Sequence, residues 1–334
     1  MLPIEIIGTG VYAPGEPIDN NELKTLAGIE FDAEKTEQKL GIYQRHIAHL
    51  RGINETTADF ATKAAQNAIE KAGLTPDDIN LFIVATDTPE FITPATAILV
   101  QGRIQKKETW ASAFDVSASC ASFTIAFDNA VRIMATDKTI QYAVIIGVYN
   151  MPAFVREKDA FGYSIFADGA GAVVLKSNSK TSQYLTGQLL TEGTQWDYIG
   201  VYAGGTRQPV TKARIDAGEY GLQNLQPLPG DRNVRLWPMV VNKLLEKANL
   251  PIDKVNHFIF TQINKSVILK VMDLLEQPAS KTNFIMDKYG YTGSGCVPMA
   301  FHHAVTSGLV KKGDTVLFMA SGAGLAVGSN LFIY

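Results

Sequence analysis

Apolar and polar positions along this chain follow two periods. TTADFATKAAQNAIEKAG (56–73) spaces its apolar residues as a helix does and stops at Gly73, which predicts an amphipathic helix. INLFIVATDT (79–88) is a short apolar run rich in β-branched residues, which predicts a buried strand. CASFTIAFDNAVRIMAT (120–136) predicts a helix and QYAVIIGVYN (141–150) the strand that follows it. MLPIEIIGTG reads as a first strand, DGAGAVVLK (168–176) as a glycine turn feeding a strand, and TVLFMASGAGLAVGSNLFIY (315–334) as a final strand pair. Strands and helices in alternation predict an α/β chain.

The pattern also repeats. AIEKAGLTPDDINLFIVAT (68–86) and LLEKANLPIDKVNHFIFTQ (244–262) match at a constant offset of 176, sharing Glu, Lys, Ala, Leu, Asp, Asn, Phe and Ile. The same offset carries Cys120 onto Cys296, each in a small-residue loop that runs into an apolar helix. Two homologous halves are expected, residues 1–176 and 177–334. An irregular stretch from about 177 to 235, with clusters GGTRQP (204–209) and QPLPGD (226–231), joins them.

Composition narrows the function classes. The chain has 334 residues, 46% of them hydrophobic, enough for a large core, and a net charge of −3. Nucleic-acid binding would call for a basic excess, so it is not expected. YAVIIGV (142–148) falls short of the roughly 20 residues that span a bilayer, and the N-terminus lacks a basic region and a long apolar core. No membrane association and a soluble, cytoplasmic protein are expected. Two cysteines give no disulfide framework. Gly8-Thr9-Gly10 fits a dinucleotide fingerprint by letters, but Pro14-Gly15 follow at once and no helix opens there. A phosphate-binding GK[ST] loop and zinc-like ligand spacing are both missing, so no cofactor and no metal are expected.

The candidate chemistry lies in DVSASCASF (115–123). A thiol at a helix N-terminus sits near unsatisfied N–H groups and the positive end of the dipole, which lowers its pKa. Ser117, Ala118 and Ser119 would let a substrate approach closely. A free cysteine equally serves as a small buried hydrophobe, and on its own the segment leaves both readings open.

Five blocks, in order, carry a resemblance: QRHIA (44–48), DVSASCASFTIAFDNA (115–130), FADGAGAVVL (166–175), KYGYTGSGCVPMA (288–300) and GDTVLFMASGAGLAVG (313–328). Together they resemble β-ketoacyl-acyl-carrier-protein synthase III over nearly the whole chain. The resemblance implies the thiolase-like α/β fold, two βαβαβ-type halves packed in αβαβα layers. It implies that Cys120 accepts an acyl group as a thioester, by nucleophilic catalysis in two steps. The oxyanion donors it implies are the Cys120 backbone N–H and an N–H from the loop Ser321-Gly322-Ala323-Gly324, which also closes the last two strands. It further implies a homodimer, with TDTPEFITPATAI (86–98) at the interface and Thr93 near an acyl pocket.

The chain departs from the family at several positions. Where the family shows His-Gln-Ala-Asn, this chain has Thr261-Gln262-Ile263-Asn264; where it shows Gly-Asn-Thr, this chain has Gly290-Tyr291-Thr292. Neither Thr261 nor Tyr291 supplies a base near neutral pH, although both can donate a hydrogen bond. His257, His302 and His303 read as packing or surface residues, His46 and His49 carry no catalytic match, and Cys296 reads as a packing thiol. In KTEQKLGI (35–42), Lys35 stands where the family has an adenine-stacking Trp. Lys35, Lys39, Arg45, Arg103, Lys106, Lys107 and Lys265 offer contacts to phosphates or to an acidic carrier protein, and Asn264 precedes a displaced basic residue at the docking helix. Acyl carrier protein or coenzyme A thioesters are the partners implied.

Three functions compete. One is a condensing acyltransferase of fatty acid or polyketide biosynthesis, passing the acyl group to carbon. The second is a non-decarboxylative acyltransferase to an oxygen, nitrogen or carbon acceptor, and the third is a non-catalytic partner subunit. Cys120 argues against the third; Thr261 and Tyr291 argue against an unmodified version of the first.

Overall fold

The computed structural model describes residues 2–334. Five strands form the first sheet: β1 (Ile4–Tyr12), β2 (Leu81–Ala85), β3 (Ser112–Val116), β4 (Tyr142–Tyr149) and β5 (Gly169–Ser177), in the order β1-β5-β4-β2-β3. β6 (Gln183–Gln195), β7 (His257–Phe260), β8 (Thr315–Gly322) and β9 (Gly324–Ile333) form the second, in the order β6-β9-β8-β7. The two orders match strand for strand. Each sheet runs antiparallel, antiparallel, then parallel from its first strand inward. The second sheet keeps only a trace of a fifth strand, a parallel bridge between Phe258 and Thr282.

The 176-residue offset has a local physical basis. Helix α1 (Thr57–Lys71) is followed by Gly73 at φ 70, and a later helix over Arg232–Ala248 by Asn249 at φ 49. Both residues adopt the left-handed conformation that Gly and Asn tolerate best. Past each turn, an asparagine side chain ties the strand start to its neighbour. Asn80 Oδ1 accepts the Gln141 N–H at 2.9 Å and Asn256 Oδ1 accepts the Thr315 N–H at 2.8 Å. β2 and β7 then run fully buried, as LFIVA and HFIF.

Five layers result. α1 and α2 (Thr96–Ile104) cover the outer face of the first sheet. α3 (Ser122–Thr136), with a second helix over Cys296–Thr306, lies between the sheets, where Phe123, Phe127, Phe301, Phe318 and Phe332 interlock. Of the other helices, three build the layers: α4 (Arg232–Ala248), α5 (Lys265–Leu274) and α6, which is the central Cys296–Thr306 helix. α4 and α5 cover the outer face of the second sheet through Trp237, Val241, Leu244, Ile268 and Val271. This is the αβαβα layering expected from the blocks.

Gly8 and Gly10 serve the first of these interfaces. A Cβ at Gly10 would strike the Ala64 carbonyl, and one at Gly8 the Ala68 carbonyl. α1 meets them with Ala61, Ala64, Ala65 and Ala68, all fully buried. The fingerprint-like glycines therefore seat a helix against a strand and cradle no phosphate.

Candidate active site

β3 leads into a tight turn at residues 118–121, and α3 opens from it. Ala121 N–H donates to the Ala118 carbonyl at 3.2 Å and Ser122 N–H to the Ser119 carbonyl at 2.9 Å. Ser119 takes φ 52, a strained conformation for a residue with a Cβ. The helix thus begins at Ser122, two residues later than the sequence pattern predicts, and leaves Cys120 at the apex of the turn.

Cys120 is partly exposed on the wall of a cavity of about 350 Å³ lined from segments between Asp87 and Gly324. Met151, Phe161, Phe166, Ile199, Val201 and Leu222 make most of that wall apolar. The loop at Ser321–Gly324 closes one side. A Cβ on Gly322 would stand 2.6 Å from the Cys120 backbone nitrogen, so only glycine lets the loop approach the nucleophile turn this closely.

The thiol's electrostatics reverse the expectation from the helix start. Burial first, and the negative charge of Asp87 second, push Cys120 up to about 12, against hydrogen bonds from Tyr291 and Ser119. In the turn itself, the N–H groups of Ala121 and Ser122 are given to the carbonyls of Ala118 and Ser119. Asp87 follows β2 and is held by its own surroundings. Ser119 Oγ donates to Asp87 Oδ2 at 2.8 Å, while Oδ1 is buried without a partner. Burial raises the Asp87 carboxyl above its usual range.

The remaining predicted residues separate into groups. Tyr291 lines the cavity along with Cys120, packed against Phe166 and Tyr149 with ring centroids 5.9 and 6.3 Å away. Thr261 is buried behind the loop. It does not line the cavity; its Oγ1 accepts the Ser321 N–H at 3.3 Å. Asn264 caps α5, accepting the Val267 N–H at 3.2 Å, and Lys35 is exposed; neither lines the cavity. Thr93 is exposed in a loop beside Phe91 and Ile92, away from the cavity of its own chain. Arg45 cannot meet an external phosphate: it is fully buried and donates to the Ser164 carbonyl at 2.9 Å. Arg103 and Lys107 pair with Asp59 and Asp77 at 3.1 and 2.6 Å.

All five histidines lie outside the cavity. His46 contacts the carbonyls of Pro14 and Gly15, His49 the Tyr163 hydroxyl, and His257 the Asn283 side chain. His302 meets Thr9, and His303 meets Tyr289. Cys296 is fully buried at the start of α6 and accepts the Gln262 N–H at 3.4 Å. Sequence reading named Ser321 only as part of the oxyanion loop and missed Asp87, Arg232 and Asn233. The Ser321 hydroxyl accepts from Trp237 Nε1 at 2.9 Å and donates to Asn233 Oδ1 at 3.1 Å. Only the fold brings these distant segments to one cavity. Asp87 alone left a signal, a carboxylate two residues past the end of a fully apolar strand.

Duplicated sheets, paired central helices and a cysteine raised on a turn beneath a glycine loop are the marks of a thiolase-like acyltransferase. The chain belongs to the 3-oxoacyl-[acyl-carrier-protein] synthase III family. The family description "3-Oxoacyl-[acyl-carrier-protein (ACP)] synthase III" matches residues 114–193, and that of its C-terminal part matches residues 245–334. The chain is 33% identical over 329 residues to the β-ketoacyl-[acyl-carrier-protein] synthase III of Wolbachia pipientis wMel, covering 98% of both chains. The crystal structure of 3-oxoacyl-[acyl-carrier-protein] synthase III from Aquifex aeolicus superposes with a TM-score of 0.85 at 31% identity, covering 99% of this chain and 100% of that one. A priming β-ketosynthase from the R1128 polyketide pathway shares the fold, with a TM-score of 0.86 at 24% identity and coverage of 99% and 96%.

Proposed function

We propose that this chain is an acyl-thioester transferase that carries its acyl group on Cys120. The supporting observation is the placement of that thiol: it stands on an apolar cavity wide enough for a small acyl chain, with the Gly322 backbone against its own amide. In this reading the sulfur attacks the thioester carbonyl, the carrier thiol leaves, and the Cys120 N–H with the glycine loop holds the oxyanion. Tyr291 donates a hydrogen bond into the same space. Thr261 acts at one remove, by fixing Ser321 and hence the loop.

The donor in this proposal is acyl carrier protein in preference to coenzyme A. Lys35, Lys39 and Lys265 are exposed for an acidic partner, and no indole stands at position 35 to stack adenine. A second reading concerns the acceptor. Among the described residues no imidazole lines the cavity, and Thr261 is turned away from it. This favours transfer to an acceptor that needs no decarboxylation. The exposed Phe91, Ile92 and Ile98 fit a homodimer interface through the 86–98 stretch. Two free thiols fit a reducing compartment such as the cytoplasm, and no helix among the described residues is long and apolar enough to cross a membrane.

Intact-protein mass spectrometry with acyl thioesters on carrier protein and on coenzyme A tests the reading. One acyl mass on the wild type, lost in Cys120→Ala, is expected. An adduct that survives this substitution overturns it. Carbon dioxide release from malonyl carrier protein at a rate matching acyl transfer would exclude the non-decarboxylative acceptor.

A further inference from the structure

Cys120 faces a chemical difficulty that the fold must resolve. Its thiol has to lose a proton to attack, yet the Ala121 and Ser122 N–H groups are given to turn carbonyls and none of the described residues lining the cavity is a histidine. Of those lining residues, Asp87 carries the only carboxyl and Arg232 the only guanidinium. Asp87 is joined to the nucleophile through one intervening side chain. Ser119 Oγ lies 2.8 Å from Asp87 Oδ2, to which it donates, and 3.8 Å from Cys120 Sγ, from which it can accept. The strained φ 52 at Ser119 aims that hydroxyl between the two.

We propose that Ser119 and Asp87 form a proton relay for Cys120, doing in this chain what a neighbouring imidazole does in other cysteine nucleophiles. The inference rests on the reading that Cys120 is the acylated residue. As the sulfur attacks the thioester carbonyl, its proton passes to Ser119 Oγ and the Ser119 hydroxyl proton passes to Asp87 Oδ2. A carbon–sulfur bond to Cys120 forms and the bond to the carrier sulfur breaks. The departing carrier thiolate then takes a proton back along the same path, which leaves Asp87 ionised and the atoms balanced. The buried Oδ1, free of any partner, gives the carboxylate few competing stabilisers and so makes it a stronger base than an exposed aspartate. Besides the two relay partners, the titratable groups facing this carboxyl are Tyr149, with Tyr291 and Arg232 on the cavity wall. Neither tyrosine is ionised near neutral pH, since burial raises both.

A carboxylate beside a thiol can also act in the opposite sense, by raising the thiol pKa through charge alone. The two roles predict opposite results. Alkylation of Cys120 by iodoacetamide, followed by mass, needs no acyl donor and reports the relay directly. With a relay, Asp87→Asn and Ser119→Ala each slow alkylation and acylation at pH 7 by roughly 10²-fold. The double variant is then no slower than either single one, and the wild-type pH profile carries a low-pH inflection that Asp87→Asn lacks. If Asp87→Asn instead reacts as fast as the wild type or faster, the carboxylate only burdens the thiol and the relay is overturned. Ser119→Ala provides the second arm should Asp87→Asn fold poorly; wild-type reactivity there likewise overturns it. A wild type that takes up iodoacetamide through the relay but accepts no acyl thioester would refute the acyl-transfer reading and leave the relay standing.

Discussion

Two cysteines of like sequence setting meet opposite fates at the residue scale. Cys120 sits at a turn apex on the cavity, whereas Cys296 lies at the start of a helix whose first turn is sealed between sheets. Cys296→Ala should therefore keep full acyl-adduct formation and lose some thermal stability, while Cys120→Ala should lose the adduct and keep the fold; intact mass and thermal melting read both. Tyr291→Phe should slow acylation without removing it. A hydrogen bond to a developing charge is worth about 1.5–3 kcal/mol, on the order of 10–100-fold in rate, and stopped-time mass spectrometry would show it. An unchanged rate would leave Tyr291 as a wall of the cavity only. Side-chain identity makes Cys120 legible in the sequence alone, because a thiol in a small-residue loop is chemically distinctive. The surroundings that set its pKa are not legible there, since Asp87 is 33 residues away in the chain and Tyr291 further still.

Close approach decides the element scale. β1 meets α1 through Gly10, where any Cβ would collide with the Ala64 carbonyl, so Gly10→Val should force strand and helix apart. Overpacking of this kind costs about 1–3 kcal/mol or more, and urea denaturation would report it as a lower midpoint. Gly322→Ala is the counterpart at the site. Its methyl would press on the Cys120 amide, so acylation should fall by more than stability does. Periodicity reveals α1, β2, α3 and β4 because each buries a face whose spacing is fixed by helix or strand geometry. Their ends shift where side-chain bonds override that spacing. β2 stops at Ala85 because Thr86 Oγ1 takes the Thr88 N–H at 3.0 Å, and α3 starts late because Ser119 turns the chain. Position 264 also reads ambiguously. Asn264 is a helix cap in this chain, a structural role that a family match alone could not separate from substrate binding.

At the scale of the whole molecule, buried titratable groups act on stability with opposite pH dependence. His302 on α6 meets Thr9 on β1 at 2.9 Å, joining the C-terminal helix to the first sheet. Burial first, then Lys71 and His303, lower it from 6.5 to about 4. The unfolded chain therefore takes up a proton near 6.5 that the folded chain refuses until about 4. His302 thus contributes stability that is present above pH 6.5 and lost as pH falls to about 4. Burial also lowers His46, His49, His257 and His303, which adds the same sign. Asp168 works the other way. It accepts the Ala48 N–H and the Asn150 side-chain N–H, both at 2.7 Å, yet burial raises it from 3.8 to about 7. The unfolded chain gives up that proton near 3.8 and the folded chain holds it to about 7, so this contribution is lost as pH rises through that window. His302→Gln should accordingly flatten the loss of stability on acidification between pH 6.5 and 4. Asp168→Asn should steepen it, because a group of opposing sign has gone. Melting temperatures of the three proteins from pH 4 to 8 supply the comparison. If Asp168→Asn leaves the slope unchanged, the carboxyl is ionised throughout, and its two N–H donors outweigh its burial.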